Sequence, residues 1–175
     1  MNKFGIGKSV LRKEDVRLLT GNGLYMGDIN FENQLYAYVL RSPHANAKII
    51  SIDTSSATST SGIIGVYTYS DVKEIKPLPC TVDSMFEFKK RNGSKRFFPK
   101  HNVLASKFVR HVGDPVAIIV AETLTLAKDA AELISVEYEI LPCVIDPEQA
   151  VKNDSYTIYQ NEGATDNIAF LFKQG

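Results

Sequence analysis

The plainest signal in the chain is the uninterrupted apolar run Val116-Ala117-Ile118-Ile119-Val120-Ala121, the pattern of a strand buried on both faces. Phe108-Val109-Arg110-His111-Val112 precedes it, and the turn residues Gly113-Asp114-Pro115 lie between, so the two segments are predicted to form a hairpin. A helix is predicted over residues 124–134, capped by Thr123. Leu124, Ala127, Ala130, Ala131 and Ile134 share one stripe, and Lys128, Asp129 and Glu132 fall elsewhere. In the next segment Val136, Tyr138 and Ile140 alternate with Glu137 and Glu139 until Pro142 ends the strand. Strand, helix and strand in this order predict a right-handed crossover.

Before this region the elements are shorter. Residues 12–20 are predicted helical, with Glu14 and Asp15 early, Val16, Leu18 and Leu19 apolar, and Gly21 and Gly23 as the stop. Strands are predicted over residues 35–40, 47–52 and 63–69, with Asp53-Thr54-Ser55 opening one helical turn that Gly62 closes. From about residue 75 to 102, Pro77, Pro79, Gly93 and Pro99 stand among mixed charges, which predicts one long loop. The order of elements gives a mixed α/β fold, and no internal repeat is present.

Composition narrows the function classes. The 175 residues contain 20 Lys and Arg against 20 Asp and Glu, so the net charge is zero. The electrostatic reason to expect a nucleic-acid or anionic-membrane partner is therefore absent. No apolar run reaches the roughly 20 residues of a membrane span, and the start Met1-Asn2-Lys3-Phe4-Gly5 lacks the apolar core of a signal peptide. The cytoplasm is the expected compartment. Cys80 and Cys143 match no zinc or redox spacing and are read as free thiols. Cys143, followed by Val144 and Ile145, is expected to be the more sheltered of the two. His44, His101 and His111 are scattered, with no carboxylate at helical spacing to complete a metal face.

Each chemical motif is incomplete. Gly5-Ile6-Gly7-Lys8-Ser9 ends like a phosphate-binding loop, but Asn2 stands where its first glycine belongs. Gly21-Asn22-Gly23 begins a dinucleotide fingerprint that fails at Met26 and follows a helix where a strand is needed. Lys89, Lys90, Arg91, Lys95, Arg96 and Lys100, with Phe97 and Phe98 among them, have the composition of a nucleic-acid patch, yet in a neutral domain they are read as a solvated loop. Ser42, His44 and Asp53 supply the residue types of a hydrolase triad without the Gly-x-Ser-x-Gly elbow. No catalytic, cofactor-binding or metal residue is assigned to this chain.

Several stretches together resemble one known family. They are Ser9-Val10-Leu11-Arg12-Lys13-Glu14-Asp15-Val16-Arg17-Leu18-Leu19-Thr20-Gly21, Leu40-Arg41-Ser42-Pro43-His44-Ala45 and Val112-Gly113-Asp114-Pro115-Val116-Ala117. With them go Val120-Ala121-Glu122-Thr123, Ala127-Lys128-Asp129-Ala130-Ala131-Glu132 and Tyr138-Glu139-Ile140-Leu141-Pro142. The chain resembles the N-terminal α/β-hammerhead domain of the molybdopterin-binding large subunit in the xanthine dehydrogenase and aldehyde oxidase family, which includes the carbon monoxide dehydrogenase large chain. It departs at Asn46, where the family usually has His, and at Gly27, where an acidic residue is common.

The resemblance implies an oxidoreductase whose molybdopterin cofactor and catalytic residues lie in later domains, with electrons passed to iron–sulfur and FAD centres in partner subunits or domains. It also implies an extension with a short helix over 1–30, a hammerhead domain over 31–155, and a C-terminal segment over 156–175 leading to a cofactor-binding domain. On that reading the chain is a fragment or a split reading frame. The rival expectation is a free-standing interaction module that kept the fold. The apolar run Ile168-Ala169-Phe170-Leu171-Phe172 is expected to fold back as an edge strand or to leave an exposed patch.

Overall fold

The structure is a computed structural model, and it describes residues 10–79, 90, 93 and 97–171. Backbone contacts divide the chain into two units, Met1–Gln34 and Leu35–Gly175. In the first unit α1 (Asp15–Leu19) ends at Gly21, whose φ of 73° favours glycine. The amides of Gly21 and Asn22 donate to the carbonyls of Leu18 and Arg17 at 3.2 and 2.9 Å, a Schellman closure that confirms the helix-stop reading of Gly21. The helix is shorter than the predicted 12–20, and it buries none of its residues. A single turn and a half gains too few backbone bonds to extend itself without tertiary cover.

The second unit contains β1 (Tyr36–Arg41), β2 (Ala47–Asp53), α2 (Ser55–Thr58), β3 (Ile63–Thr68) and α3 (Tyr69–Val72). They are followed by β4 (Phe108–Val109), β5 (Pro115–Ala121), α4 (Leu124–Glu132), β6 (Ser135–Ile140) and α5 (Pro147–Ala150). The strands form two antiparallel three-stranded sheets, ordered β1-β5-β3 and β4-β2-β6.

This arrangement corrects two expectations. Residues 108–112 and 116–121 are not a hairpin, because β4 and β5 lie in different sheets. The amides needed for a ladder are spent in the turn between them: Arg110 N donates to Asp114 Oδ2 at 2.9 Å, Asp114 N to the His111 carbonyl, and Gly113 N to the Ser42 carbonyl. Likewise α4 carries the chain from β5 in one sheet to β6 in the other, so the strand-helix-strand order holds but makes no parallel crossover.

Two packed cores follow from the register. Ala117, Ile119 and Ala121 of β5 meet Ala127, Ala130, Ala131 and Ile134, where small side chains let the helix approach closely. Ala47, Ala105, Val109 and Val116 form the second core, and Ile52 and Val136 pack against both. Thr123 caps α4 as predicted, its Oγ1 accepting from Leu126 N at 3.2 Å. Leu124, placed on the buried stripe by periodicity, is 42% exposed in the first turn, and Ile140 at the end of β6 is 70% exposed. The predicted loop over 75–102 is tied at its ends, where Leu78 N donates to the His101 carbonyl at 2.8 Å.

Candidate functional site: the Arg110 cluster

Two of the stretches that carry the resemblance meet in space. Ser42 N donates to the Asp114 carbonyl at 2.9 Å, Gly113 N returns a bond to the Ser42 carbonyl at 2.8 Å, and Arg41 Nη1 donates to the Gly113 carbonyl at 2.8 Å. Gly113, at φ 91°, makes the turn possible. Arg110 leaves β4 beside this junction with only 9% of its side chain exposed. Its Nη1 donates to Asn46 Oδ1 at 3.2 Å and to the Ile158 carbonyl at 2.6 Å, and Nη2 pairs with Glu162 Oε1 at 2.8 Å. The guanidinium lies 4.3 Å from the Phe108 ring centroid and 4.9 Å from that of Tyr159, a cation–π sandwich. Its Nε is buried without a hydrogen-bond partner, as is Ser155 Oγ. Burial raises the pKa of Tyr159, which Arg110 partly offsets.

Arg110 thus fastens the segment after α5 to the sheet edge. Asn46 completes the clasp, donating from Nδ2 to the Pro142 carbonyl at 2.6 Å. Further along, Asn167 accepts from Ile158 N at 2.9 Å and donates to the Tyr156 carbonyl at 2.8 Å. Lys90 Nζ pairs with Asp166 Oδ1 at 2.9 Å, and that bond first of all holds the Asp166 carboxyl below its ordinary value. Residues 156–168 are held by side-chain anchors and not by strand pairing. Beyond them Phe170 and Leu171 are 38% and 45% exposed, and Phe172 lies outside the described residues.

Two cavities flank Arg110. One of about 370 Å³ is lined by Lys100, His101, Lys107, His111, Asp114 and Glu162, with Tyr159 on one wall. The other, of about 240 Å³, lies among Asn46, Val112, Cys143, Val144, Ile145 and Ile158. Cys143 is free and exposed, and Ile145 is 90% exposed, while Cys80, with which its shelter was to be compared, lies outside the described residues.

The residue types of the hydrolase triad do not converge. Ser42, 2% exposed, has its hydroxyl in a local turn, accepting from His44 N at 3.0 Å and donating to the His44 carbonyl at 3.3 Å. The His44 ring instead packs edge-on against Tyr138 at 4.8 Å, and burial raises the pKa of that phenol. Asp53 stands at the other end of β2, where the Ser55 hydroxyl and amide donate to its Oδ1 at 2.7 and 2.9 Å and hold its pKa down.

Two members of the basic patch are not what a solvated loop requires. Lys90 is buried at its Asp166 pair, and Phe97 packs on Tyr159 at 5.8 Å. Lys100 and Phe98 are exposed, whereas Lys89, Arg91, Lys95 and Arg96, like Cys80 and the Gly5–Ser9 stretch, lie outside the described residues. Among the described residues, no three His, Cys, Asp or Glu side chains stand close enough to hold a metal ion, and no helix is long and apolar enough to cross a membrane.

Sequence reasoning missed Arg110, Tyr159, Glu162, Asp166 and Asn167 as members of one cluster. It marked Asn46 only as a departure from the family pattern. The available signal was the spacing of Phe108 and Arg110, which alternation puts on one face of a strand.

Comparison with known families decides the relationship. A profile of the aldehyde oxidase and xanthine dehydrogenase a/b hammerhead domain matches residues 20–142. The chain belongs to this family. The hammerhead chain is 39% identical over 147 residues to the nicotine 6-hydroxylase large subunit of Paenarthrobacter nicotinovorans, covering 84% of itself and 17% of that protein. It is 33% identical to the carbon monoxide dehydrogenase large chain of Afipia carboxidovorans, over 86% of itself and 17% of the relative. The crystal structure of quinoline 2-oxidoreductase from Pseudomonas putida 86 superposes with a TM-score of 0.74 at 37% identity, covering 89% of this chain and 19% of that one. The hammerhead chain spans less than a fifth of the length of each of these relatives.

Proposed function

We propose that the chain serves as the non-catalytic hammerhead domain of a molybdenum hydroxylase large subunit, an oxidoreductase of the xanthine dehydrogenase, aldehyde oxidase and carbon monoxide dehydrogenase type. The observation that carries this reading is the family match over residues 20–142, set beside a polar cluster whose members are already engaged with one another. In this reading the complete subunit holds a molybdopterin cofactor, works with iron–sulfur and FAD subunits in the cytoplasm, and uses this domain to pack against and position its cofactor-binding domains.

In this reading the cofactor is held outside the described residues. Arg110, the buried cation that a phosphate would seek, is closed off by Glu162, Asn46 and the Ile158 carbonyl, and no metal-ligand cluster is present.

The test is to co-express the chain with the remaining large-subunit polypeptide and the iron–sulfur and flavin subunits, then measure molybdenum in each purified species. The chain should co-elute with the complex, and molybdenum should follow the complex. Stoichiometric molybdenum in the chain purified alone overturns the reading.

A further inference from the structure

The two sheets turn unlike surfaces outward. In the β4-β2-β6 sheet Ala47, Ile49 and Tyr138 face the core. The opposite face carries Lys48 and Glu139, paired at 3.6 Å, and Ser51, which donates to Glu137 at 3.2 Å. That is the ordinary composition of a solvated face. In the β1-β5-β3 sheet Ala117, Ile119 and Ala121 face α4, so the register places Ala37, Val39, Gly65, Tyr67, Ile118 and Val120 on the other side. None of these six side chains is charged, and Arg41, next in the β1 alternation, is bound through Nη1 to the Gly113 carbonyl at 2.8 Å.

Its shape is also specific. A Cβ on Gly65 would lie 2.7–2.9 Å from the Tyr67 ring and hydroxyl, so the phenol ring lies flat across the glycine. The result is a smooth platform in which Ala37 and Tyr67 are exposed and Val39, Ile118 and Val120 are half-buried. A contiguous apolar sheet face of this kind marks an interaction surface, and an apolar strand such as β5 is the type found covered on both sides.

We infer that this face is the surface by which the domain docks on an apolar surface of the remaining polypeptide of the large subunit. The inference rests on the proposed function. The occupant follows from the proportions of the relatives, in which the matched region is under a fifth of the chain and more than four fifths lies outside it. The zero net charge of the chain and the uncharged side chains of the platform leave apolar complementarity as the basis of recognition.

The experiment co-expresses the 175-residue chain with the remaining large-subunit polypeptide and measures co-purification for the native chain, Ala37→Glu and Lys48→Glu, together with the unfolding midpoint of each isolated chain. Ala37→Glu puts an unpaired charge on the platform from an already exposed position, and it should lower recovery of the complex about tenfold or more. Lys48→Glu, on the solvated sheet, should leave recovery unchanged, and both midpoints should stay within a degree or two of the native one. Val39→Thr, nearly isosteric, serves if Ala37→Glu fails to fold, and should lower recovery about threefold.

Equal recovery for the native chain and all variants overturns the docking face while leaving the proposed function intact. Failure of the native chain itself to co-purify overturns both. If the isolated chain sediments as a dimer that Ala37→Glu dissociates, the face meets a second copy and the assigned occupant is wrong.

Discussion

The β1-β5-β3 and β4-β2-β6 sheets have the same number of strands and the same antiparallel pairing, yet their middle strands read differently. β5 contains no polar side chain, whereas β2 carries Lys48, Ser51 and Asp53. Both sheets bury one face within the domain, so core packing alone does not explain the difference. What separates them is the second face: ion pairs and hydroxyls to water on one sheet, an apolar platform on the other. An unbroken apolar strand therefore reports on cover from both sides, including cover that the domain does not itself supply.

The comparison can be broken at graded cost. The largest effect belongs to the core shared by β5 and α4. Ile119, fully buried, should cost about 3–4 kcal/mol on replacement by Ala in chemical denaturation, from lost transfer energy and the cavity left behind. Arg110→Met should cost about 2–3 kcal/mol, since it strands Glu162 and frees the segment around Ile158. Its signature is faster proteolysis after α5 with little change within β5, and equal protection throughout would show that the clasp does not hold that segment. Thr123→Ala removes the cap of α4 and should cost about 1 kcal/mol.

A pH titration separates the clasp from the sheets. The Lys90 bond holds Asp166 below its ordinary 3.8, so the contribution of this carboxylate is present above that value and is lost as pH falls through and below it. Asp166→Asn should flatten the acid limb of the stability curve, and an unchanged limb would assign it to other carboxylates. The smallest effect is on the solvated sheet, where Lys48→Met should change stability by less than about 0.5 kcal/mol because both partners are about half exposed.

Local features were legible before the fold was known. The Thr123 cap, the stripe of Ala127, Ala130 and Ala131, the Glu137/Glu139 alternation and the Gly21 stop each depend on residues within one or two turns. The partnership of strands was not. Gly113-Asp114-Pro115 has hairpin composition, and only the bonds from Gly113 to Ser42 and from Arg110 to Asp114 show that the turn sends the chain into the other sheet.

The Arg110 cluster was hidden for the same reason, its partners Asn46, Ile158 and Glu162 lying 64, 48 and 52 positions away. Lys90 was misread because a basic stretch gives no sign that Asp166, 76 positions on, buries one of its members. The resemblance succeeded because its stretches are themselves contact segments: Arg41-Ser42-Pro43-His44 and Val112-Gly113-Asp114-Pro115 bind each other's backbone.

Footprinting tests the contrast between the two sheets most directly. Hydroxyl-radical labelling of Tyr67, with carbodiimide labelling of Glu137 and Glu139 in the same samples, is compared between the isolated chain and the chain assembled with the remaining large-subunit polypeptide. Assembly should protect Tyr67 severalfold and leave both glutamates as reactive as before, because only the apolar face needs cover. Undiminished labelling of Tyr67 in the assembled subunit, or protection confined to the glutamates, would contradict the account.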